Sequence, residues 1–266
     1  MNYQSFITSV LQEASEIADE KFGKVTGTIK GGDSNQILTE ADIAVGTHII
    51  KRIKEEYPDY NIIDEEAGVI DNGSEFTWVI DPIDGTSNFA HGVPTYGIML
   101  GLLKDGTPVA GGFTLPAFTK VCTAVKGKGA FCNDNPLHVT NEKKLINTLI
   151  GYGIDADHGN PANTFDETKQ LAELMLNVTN HRTSNSVFDI LMLTEGRYGG
   201  VLNRTSKIWD NVAPQIVVEE AGGVYTDFFG KPIDYSHPLT KSTMNYTFCA
   251  ASPVLHKQLQ EIIHSK

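Results

Sequence analysis

The chain has 266 residues, with 33 Asp and Glu against 21 Lys and Arg, and a formal net charge of −12. A hydrophobic fraction of 40% and a charged fraction of 20% fit a soluble globular protein with one large domain or two closely packed ones. The acidic balance excludes a general nucleic-acid or membrane-surface binder, which needs a basic face, but leaves room for an anionic substrate met by local cations. The three cysteines, Cys122, Cys132 and Cys249, form no CxxC pair. They suggest neither a disulfide framework nor a zinc site, and they fit reduced thiols in a cytoplasmic protein. The opening MNYQSFITSV lacks a signal-peptide pattern, and no run approaches the ~18 apolar residues of a membrane span.

In chain order, apolar residues at i, i+3, i+4 spacing predict an amphipathic helix over 4–22. The stretch 23–37, rich in Gly, Asp, Ser and Asn, predicts a loop. A second helix is expected from about Thr39, a good N-cap, to Tyr57, with Pro58 after its end. "YNIIDEEAG" (60–68) and "FTWVIDP" (76–82) read as short buried strands that run into acid. Between 95 and 132, β-rich runs separated by "KDGT" and "KGKG" read as hairpins. The style then changes. "KLINTLIGYG" reads as a strand, "FDETKQLAELMLNVTN" and "SVFDILMLTEGRYGG" as helices, and "VLNRTSKIWD" as strand or loop. "NVAPQIVVEEAGG" reads as a helix closed by glycine, and "PVLHKQLQEIIHSK" as a terminal helix. Two packed subdomains are expected, an α+β part over 1–145 and an α/β part over 146–266.

Three acidic segments stand at strand ends or loop starts: Asp64-Glu65-Glu66, Asp81-x-x-Asp84, and Asp210 after Trp209. Clustered carboxylates repel, so they need protons or a cation, and hard cations such as Mg²⁺ prefer oxygen ligands. Asp81 and Asp84 are placed to share metals, with Pro82 stiffening a turn between them. Gly85 and Thr86 precede an expected short helix from Ser87, where backbone N–H groups and a glycine suit a phosphate. Metal ligands beside an amide cradle suggest phosphoryl chemistry, in which Thr86 orients a water. Taken singly, each element has a plain reading: a calcium or turn motif for Asp81-x-x-Asp84, a solvated turn for Glu65-Glu66, an N-cap for Asp210.

The residues match a known family. "WVIDPIDGTSNF" (78–89) resembles the first signature of the inositol monophosphatase family, within the metal-dependent, lithium-sensitive sugar phosphatases, and "WDNVAPQIVVEEAGG" (209–223) resembles the second. "IIDEEAG" (62–68), "LTEADIAVGTHIIKRIKEEYP" (38–58) and "KGKGAFCNDNPLHV" (126–139) are similar to further family segments. The resemblance implies a layered αβαβα sandwich of α/β class, a homodimer, and two or three Mg²⁺ ions. It implies that Glu65, Asp81 and the Ile83 carbonyl hold one ion and that Asp81, Asp84 and Asp210 hold another. A third, looser ion leans on Glu65. Thr86, bonded to Asp42, activates the water, and the Gly85 and Thr86 amides bind phosphate. Glu66 and Lys30 are supporting residues, and a loop near 28–37 closes over the metals.

The sequence departs from the family pattern on the side that meets the leaving group. Asn203 stands where animal inositol enzymes carry Glu, and Ser184-Asn185-Ser186-Val187 replaces a more usual Gly-Ser/Thr-Ala-Ala. Lys207 stands near Asp210, where it and Arg204 would favour a bisphosphate if they face the pocket. The expected substrate-binding set is therefore Asp84, Gly85, Thr86, Ser184, Asn203, Lys207 and Asp210. The expected function is Mg²⁺-dependent hydrolysis of a small polyol or sugar phosphate, with inositol 1-phosphate first. Rivals are fructose 1,6-bisphosphate, histidinol phosphate, 3′-phosphoadenosine 5′-phosphate and NADP. A regulatory protein-binding role on the same fold is the non-enzymatic alternative. A calcium-binding structural module is disfavoured by the lack of EF-hand ligand spacing.

Overall fold

The computed structural model describes residues 2–24, 27–29 and 37–265. Most of the expected metal-covering loop, including Lys30, lies outside the described residues. Helix α1 (Tyr3–Lys21) starts at Asn2, whose side chain accepts the Ser5 amide at 2.8 Å, and buries Phe6, Ile7, Val10, Leu11, Ala14 and Ala18. The short strands β1 (Thr28–Ile29) and β2 (Ile37–Leu38) pair antiparallel. They lead into α2 (Glu40–Glu56), which opens with a capping box between Thr39 and Asp42. The same box gives Asp42 a fixed orientation.

The large sheet holds eight strands: β3 (Asn61–Asp64), β4 (Gly68–Ile70), β5 (Phe76–Asp84), β6 (Gly97–Lys104), β7 (Thr107–Leu115), β8 (Lys120–Val125), β9 (Ala130–Cys132) and β10 (Asn135–Pro136). Their order is β10-β9-β8-β7-β6-β5-β3-β4, and all neighbours are antiparallel except β3 and β5. Helix α3 (Thr86–Ala90) follows β5 directly. The second half of the chain builds a five-stranded sheet from β11 (Leu149–Gly153), β12 (Asn180–Arg182), β13 (Tyr198–Ser206), β14 (Val224–Thr226) and β15 (Tyr246–Ala251), in the order β12-β11-β13-β15-β14.

The helices of the second half divide between two faces of that sheet: α4 (Pro161–Met175), α5 (Phe188–Thr194), α6 (Val212–Glu220) and α7 (Pro253–Ile263). Helices α1 and α2 cover one face of the large sheet around Trp78, Ile80 and Leu100. Helices α5 and α6 fill the space between the two sheets, with Ile190, Leu191, Ile216 and Val217 packed against Met99, Phe113 and Val201. Helices α4 and α7 close the far side around Leu174, Leu255 and Leu259. The order of layers is therefore αβαβα. Each of these apolar side chains contributes about 1.5–3 kcal/mol by leaving water, so the three buried layers hold the strand ends in place.

Two local differences from expectation have physical causes. Strand β5 does not stop at Pro82, with a turn before Asp84, but runs through to Asp84, so Pro82 sits inside it. The register against β6 shifts between Asp81 and Asp84, an irregularity that accommodates a residue without an N–H. The stretch 186–200 is not one helix. Helix α5 ends at Thr194, Gly196 adopts φ 73°, and Tyr198 already begins β13.

Candidate active site

Asp64 ends β3, and its Oδ1 accepts the Glu66 and Ala67 amides at 2.9 and 2.7 Å. This closes the turn that brings Glu65 to the cleft. α2 passes close behind: a Cβ on Gly46 would meet Asp64 Oδ2 at 2.9 Å and Pro82 Cγ at 3.2 Å, so a glycine is required there. On the other side of β3, the irregular end of β5 carries Asp81 and Asp84. The segment between β13 and α6 carries Asp210, whose Oδ2 accepts the Lys207 amide at 2.5 Å. The Val187 amide, at the start of α5, donates to Asp84 Oδ2.

These segments converge. One carboxylate oxygen from each of Asp81, Asp84 and Asp210 lies within 4.8 Å of the others. Asp81 is buried, while Asp84 and Asp210 are half-buried on the cleft floor. Burial, reinforced by the charges of Glu65, Asp84 and Asp210, pushes the Asp81 carboxyl well above its ordinary range. Asp84 is raised in the same way, by burial and then by Asp210, against the Val187 amide. Asp210 is pushed up to about 6 by burial, partly offset by the Lys207 amide. Asp81 Oδ1 is buried with no hydrogen-bond partner. Among the described residues Lys207 is the only Lys or Arg lining this cleft, and its ammonium is turned to the Thr243 carbonyl, so a set of hard, charged oxygens with an orphaned member is the donor chemistry that a divalent metal ion satisfies.

Gly85 follows with φ 76°, a left-handed conformation that a side chain would strain, and a Cβ there would also meet Ser186 Cβ at 3.0 Å and the Thr95 carbonyl at 3.2 Å. Thr86 is the first residue of α3. Its hydroxyl lies 2.8 Å from the Ile83 carbonyl and 3.4 Å from Asp42 Oδ1, so its proton goes first to Ile83 and only weakly to Asp42. Asp42 Oδ2 is occupied by the Thr39 amide at 2.7 Å and the Thr39 hydroxyl at 2.6 Å. Burial pushes Asp42 up to about 6, although the Thr39 hydrogen bonds pull the other way.

The cleft has a volume of about 1030 Å³. Glu65, Asp81, Ile83, Asp84, Gly85, Thr86, Asn203, Lys207 and Asp210 all line it. Asp42 does not line it but stands buried behind Thr86. Ser184 also falls outside the lining. Its amide donates to Asp189 Oδ2 at 3.0 Å and its carbonyl accepts from Asn88, so it shapes the loop, and Ser186, two residues on, faces the cleft instead. Lys207 reaches the rim, where its ammonium donates to the Thr243 carbonyl at 3.1 Å. Arg204 points away, over the Phe228 ring at 5.5 Å, into the layer of α4 and α7. Sequence reasoning missed Asp155 and Ser186, both of which line the cleft. Asp155 stands in no motif, whereas Ser186 belongs to the Ser184-Asn185-Ser186-Val187 departure from the family pattern, in which Ser184 is the residue expected to face the substrate.

The comparisons agree with this geometry. The model of the inositol monophosphatase family matches residues 2–266. A fructose-1,6-bisphosphatase/inositol-1-monophosphatase of Aquifex aeolicus is 30% identical over 226 residues, 83% of each chain. A Nus factor SuhB of Pasteurella multocida is 32% identical over 206 residues, 74% of each chain. Among solved structures, an IMPase of Thermotoga maritima has a TM-score of 0.86 at 26% identity, over 100% of this chain and 98% of that one. An IMPase/NADP phosphatase complexed with Mg²⁺ and phosphate has a TM-score of 0.82 at 20% identity, over 98% and 95%. This chain belongs to the inositol monophosphatase family of phosphatases.

Proposed function

We propose that this protein is a Mg²⁺-dependent phosphomonoesterase acting on a small polyol or sugar phosphate, with inositol 1-phosphate the leading substrate. The observation that carries the reading is the convergence of Asp81, Asp84 and Asp210 within 4.8 Å of one another on the floor of an open cleft. The Mg²⁺ and phosphate in the IMPase/NADP phosphatase of the same fold support it. In this reading Glu65, Asp81, the Ile83 carbonyl, Asp84 and Asp210 hold two or three ions. The ions supply charge neutralisation for the phosphoryl oxygens and lower the pKa of water.

The chain's own residues do the rest. The Gly85 and Thr86 amides receive the phosphate. The Thr86 hydroxyl takes the proton of the attacking water as it passes its own to Asp42 Oδ1. For that transfer the 3.4 Å contact would tighten and the Thr86 hydroxyl would leave the Ile83 carbonyl, freeing that oxygen to serve as an ion ligand. The phosphorus–ester oxygen bond breaks with its electron pair on the leaving oxygen, which takes a proton from solvent water in the open cleft and departs as the alcohol toward the outer half lined by Asn203, Ser186 and Asp155. The same family resemblance leads us to assign a homodimer, and the three free, buried cysteines fit a reducing cytoplasm. Among the described residues no helix is long and apolar enough to cross a membrane.

The test is phosphate release from inositol, histidinol, fructose bis-, nucleotide and NADP phosphates, with Mg²⁺ and with EDTA. Release that needs Mg²⁺ and is lost in Asp84→Asn supports the reading. Metal-independent release, or none from any substrate, overturns it.

A further inference from the structure

In the outer half of the cleft, β11 and β13 run parallel with Gly153 opposite Asn203. Beyond that pair the chain brings Asp155 beside Thr205. Asp155 Oδ1 accepts from Asn185 Nδ2 at 2.9 Å, and Oδ2 accepts from the Thr205 hydroxyl at 3.4 Å. Both donors are neutral, so they orient the carboxylate without cancelling its charge. Asn203 differs. Its Oδ1 is committed to the Thr205 amide at 2.6 Å, which leaves its NH₂ as the group it can offer. The acceptor that Asn203 lacks is supplied by Asp155, two residues past the end of the neighbouring strand β11.

Among the described residues no Lys or Arg is paired with Asp155. Lys207 is the only Lys or Arg among the described residues that line the cleft, and its ammonium is turned to the Thr243 carbonyl. Arg204 is on the opposite face of the sheet, over Phe228. His158 lies exposed at the rim. Asp155 is close enough to Asp210 for its charge to act on it. A second phosphate placed here would meet a carboxylate where its own charge needs a cation.

We infer that Asp155 determines specificity for the leaving alcohol: it receives a hydrogen-bond donor, a hydroxyl or an ammonium, and it rejects leaving groups that carry a second phosphate. This rests on the phosphomonoesterase reading and narrows its substrate class to monophosphates of polyols or amino alcohols.

The test uses the full chain with Mg²⁺ and measures kcat/KM for myo-inositol 1-phosphate, histidinol phosphate and fructose 1,6-bisphosphate. Wild type is expected to disfavour the bisphosphate by at least about tenfold against the better monophosphate, the scale on which one charged contact discriminates. Asp155→Asn should lower the better monophosphate about tenfold and raise the bisphosphate-to-monophosphate ratio at least about tenfold. Asp155→Glu, which keeps the charge, should keep the bisphosphate rejected. A larger loss on histidinol phosphate identifies an ammonium as the group received, a larger loss on inositol phosphate a hydroxyl, and both support the assignment. A wild-type preference for the bisphosphate, or an unchanged ratio in Asp155→Asn with turnover intact, overturns the inference alone. Absence of Mg²⁺-dependent release from all three by wild type overturns the functional reading and this inference with it.

Discussion

Helix α2 connects two acidic regions with opposite electrostatics. Along its later turns, His48 and Arg52 reach across to Glu13 on α1, with His48 Nε2 2.8 Å from Glu13 Oε2. Burial works to raise the Glu13 carboxyl, but hydrogen bonds from Arg52, Ser9 and His48 outweigh it and hold Glu13 at about 2. At the start of the same helix Asp42 is pushed up to about 6 by burial, and beyond it burial and neighbouring carboxylates raise Asp81 and Asp84 as well. The difference lies in the partner. Glu13 is matched by cations of the chain itself, as structural acids are, whereas among the described residues the cluster of Asp81, Asp84 and Asp210 has only the charge of Lys207 acting on Asp210, too little to offset three clustered carboxylates.

The sharpest way to break this contrast is Asp84→Asn. It should cost about 10²–10³-fold in kcat/KM, the scale seen when a preorganised charge-stabilising group is lost. The same variant in EDTA should melt higher than wild type, because it removes one of three repelling carboxylates. Relief of about 1 kcal/mol raises Tm by about 2–4 °C at this size. A lower melting temperature in EDTA would mean that the cluster is not under strain.

Thr86→Ala comes next, with a fall of about 10²-fold in kcat and little change in KM. A rise in KM with kcat kept would make Thr86 a binding residue only. Metal addition is smaller and thermal. Mg²⁺ at 100 times its Kd stabilises wild type by about 2.7 kcal/mol, read as a Tm increase that Asp84→Asn largely loses.

The smallest effect falls on the paired acid. The depressed Glu13 carboxyl contributes stability above its ordinary value of 4.5, and that contribution is lost as pH falls through about 2. Glu13→Gln should therefore flatten the acid limb of a Tm–pH profile below about 4.5 and leave activity intact. The contribution is modest because the Glu13 side chain is 36% exposed. An unchanged acid limb would show that the Arg52 and His48 contacts carry no net stability.

Much of the fold was legible because its signals are local. The apolar periodicity of α1, the Thr39 cap of α2 and the hairpin turns of the large sheet each depend on a few neighbouring residues. The acidic side of the active site was legible for the same reason: Asp81, Asp84, Gly85 and Thr86 fall within six residues of chain. Strands β12, β14 and β15 were not, since short strands carry little periodicity and their pairing is set by partners elsewhere. Likewise the run of helix expected after Ser186 ended early, because the packing that commits Tyr198 to β13 is tertiary.

The sequence by itself determined which carboxylates, which glycine and which hydroxyl come together on one side of the cleft. Only the tertiary structure decided what surrounds the leaving group. Strand alternation sends Asn203 to the cleft and Arg204 to the far layer. The α5 entry turns Ser186 inward and Ser184 into the loop. Asp155 meets Asn185 and Thr205 across separations of 30 and 50 residues. Side-chain direction in these segments depends on sheet register and on how separate elements pack, and neither is written in a local run of residues.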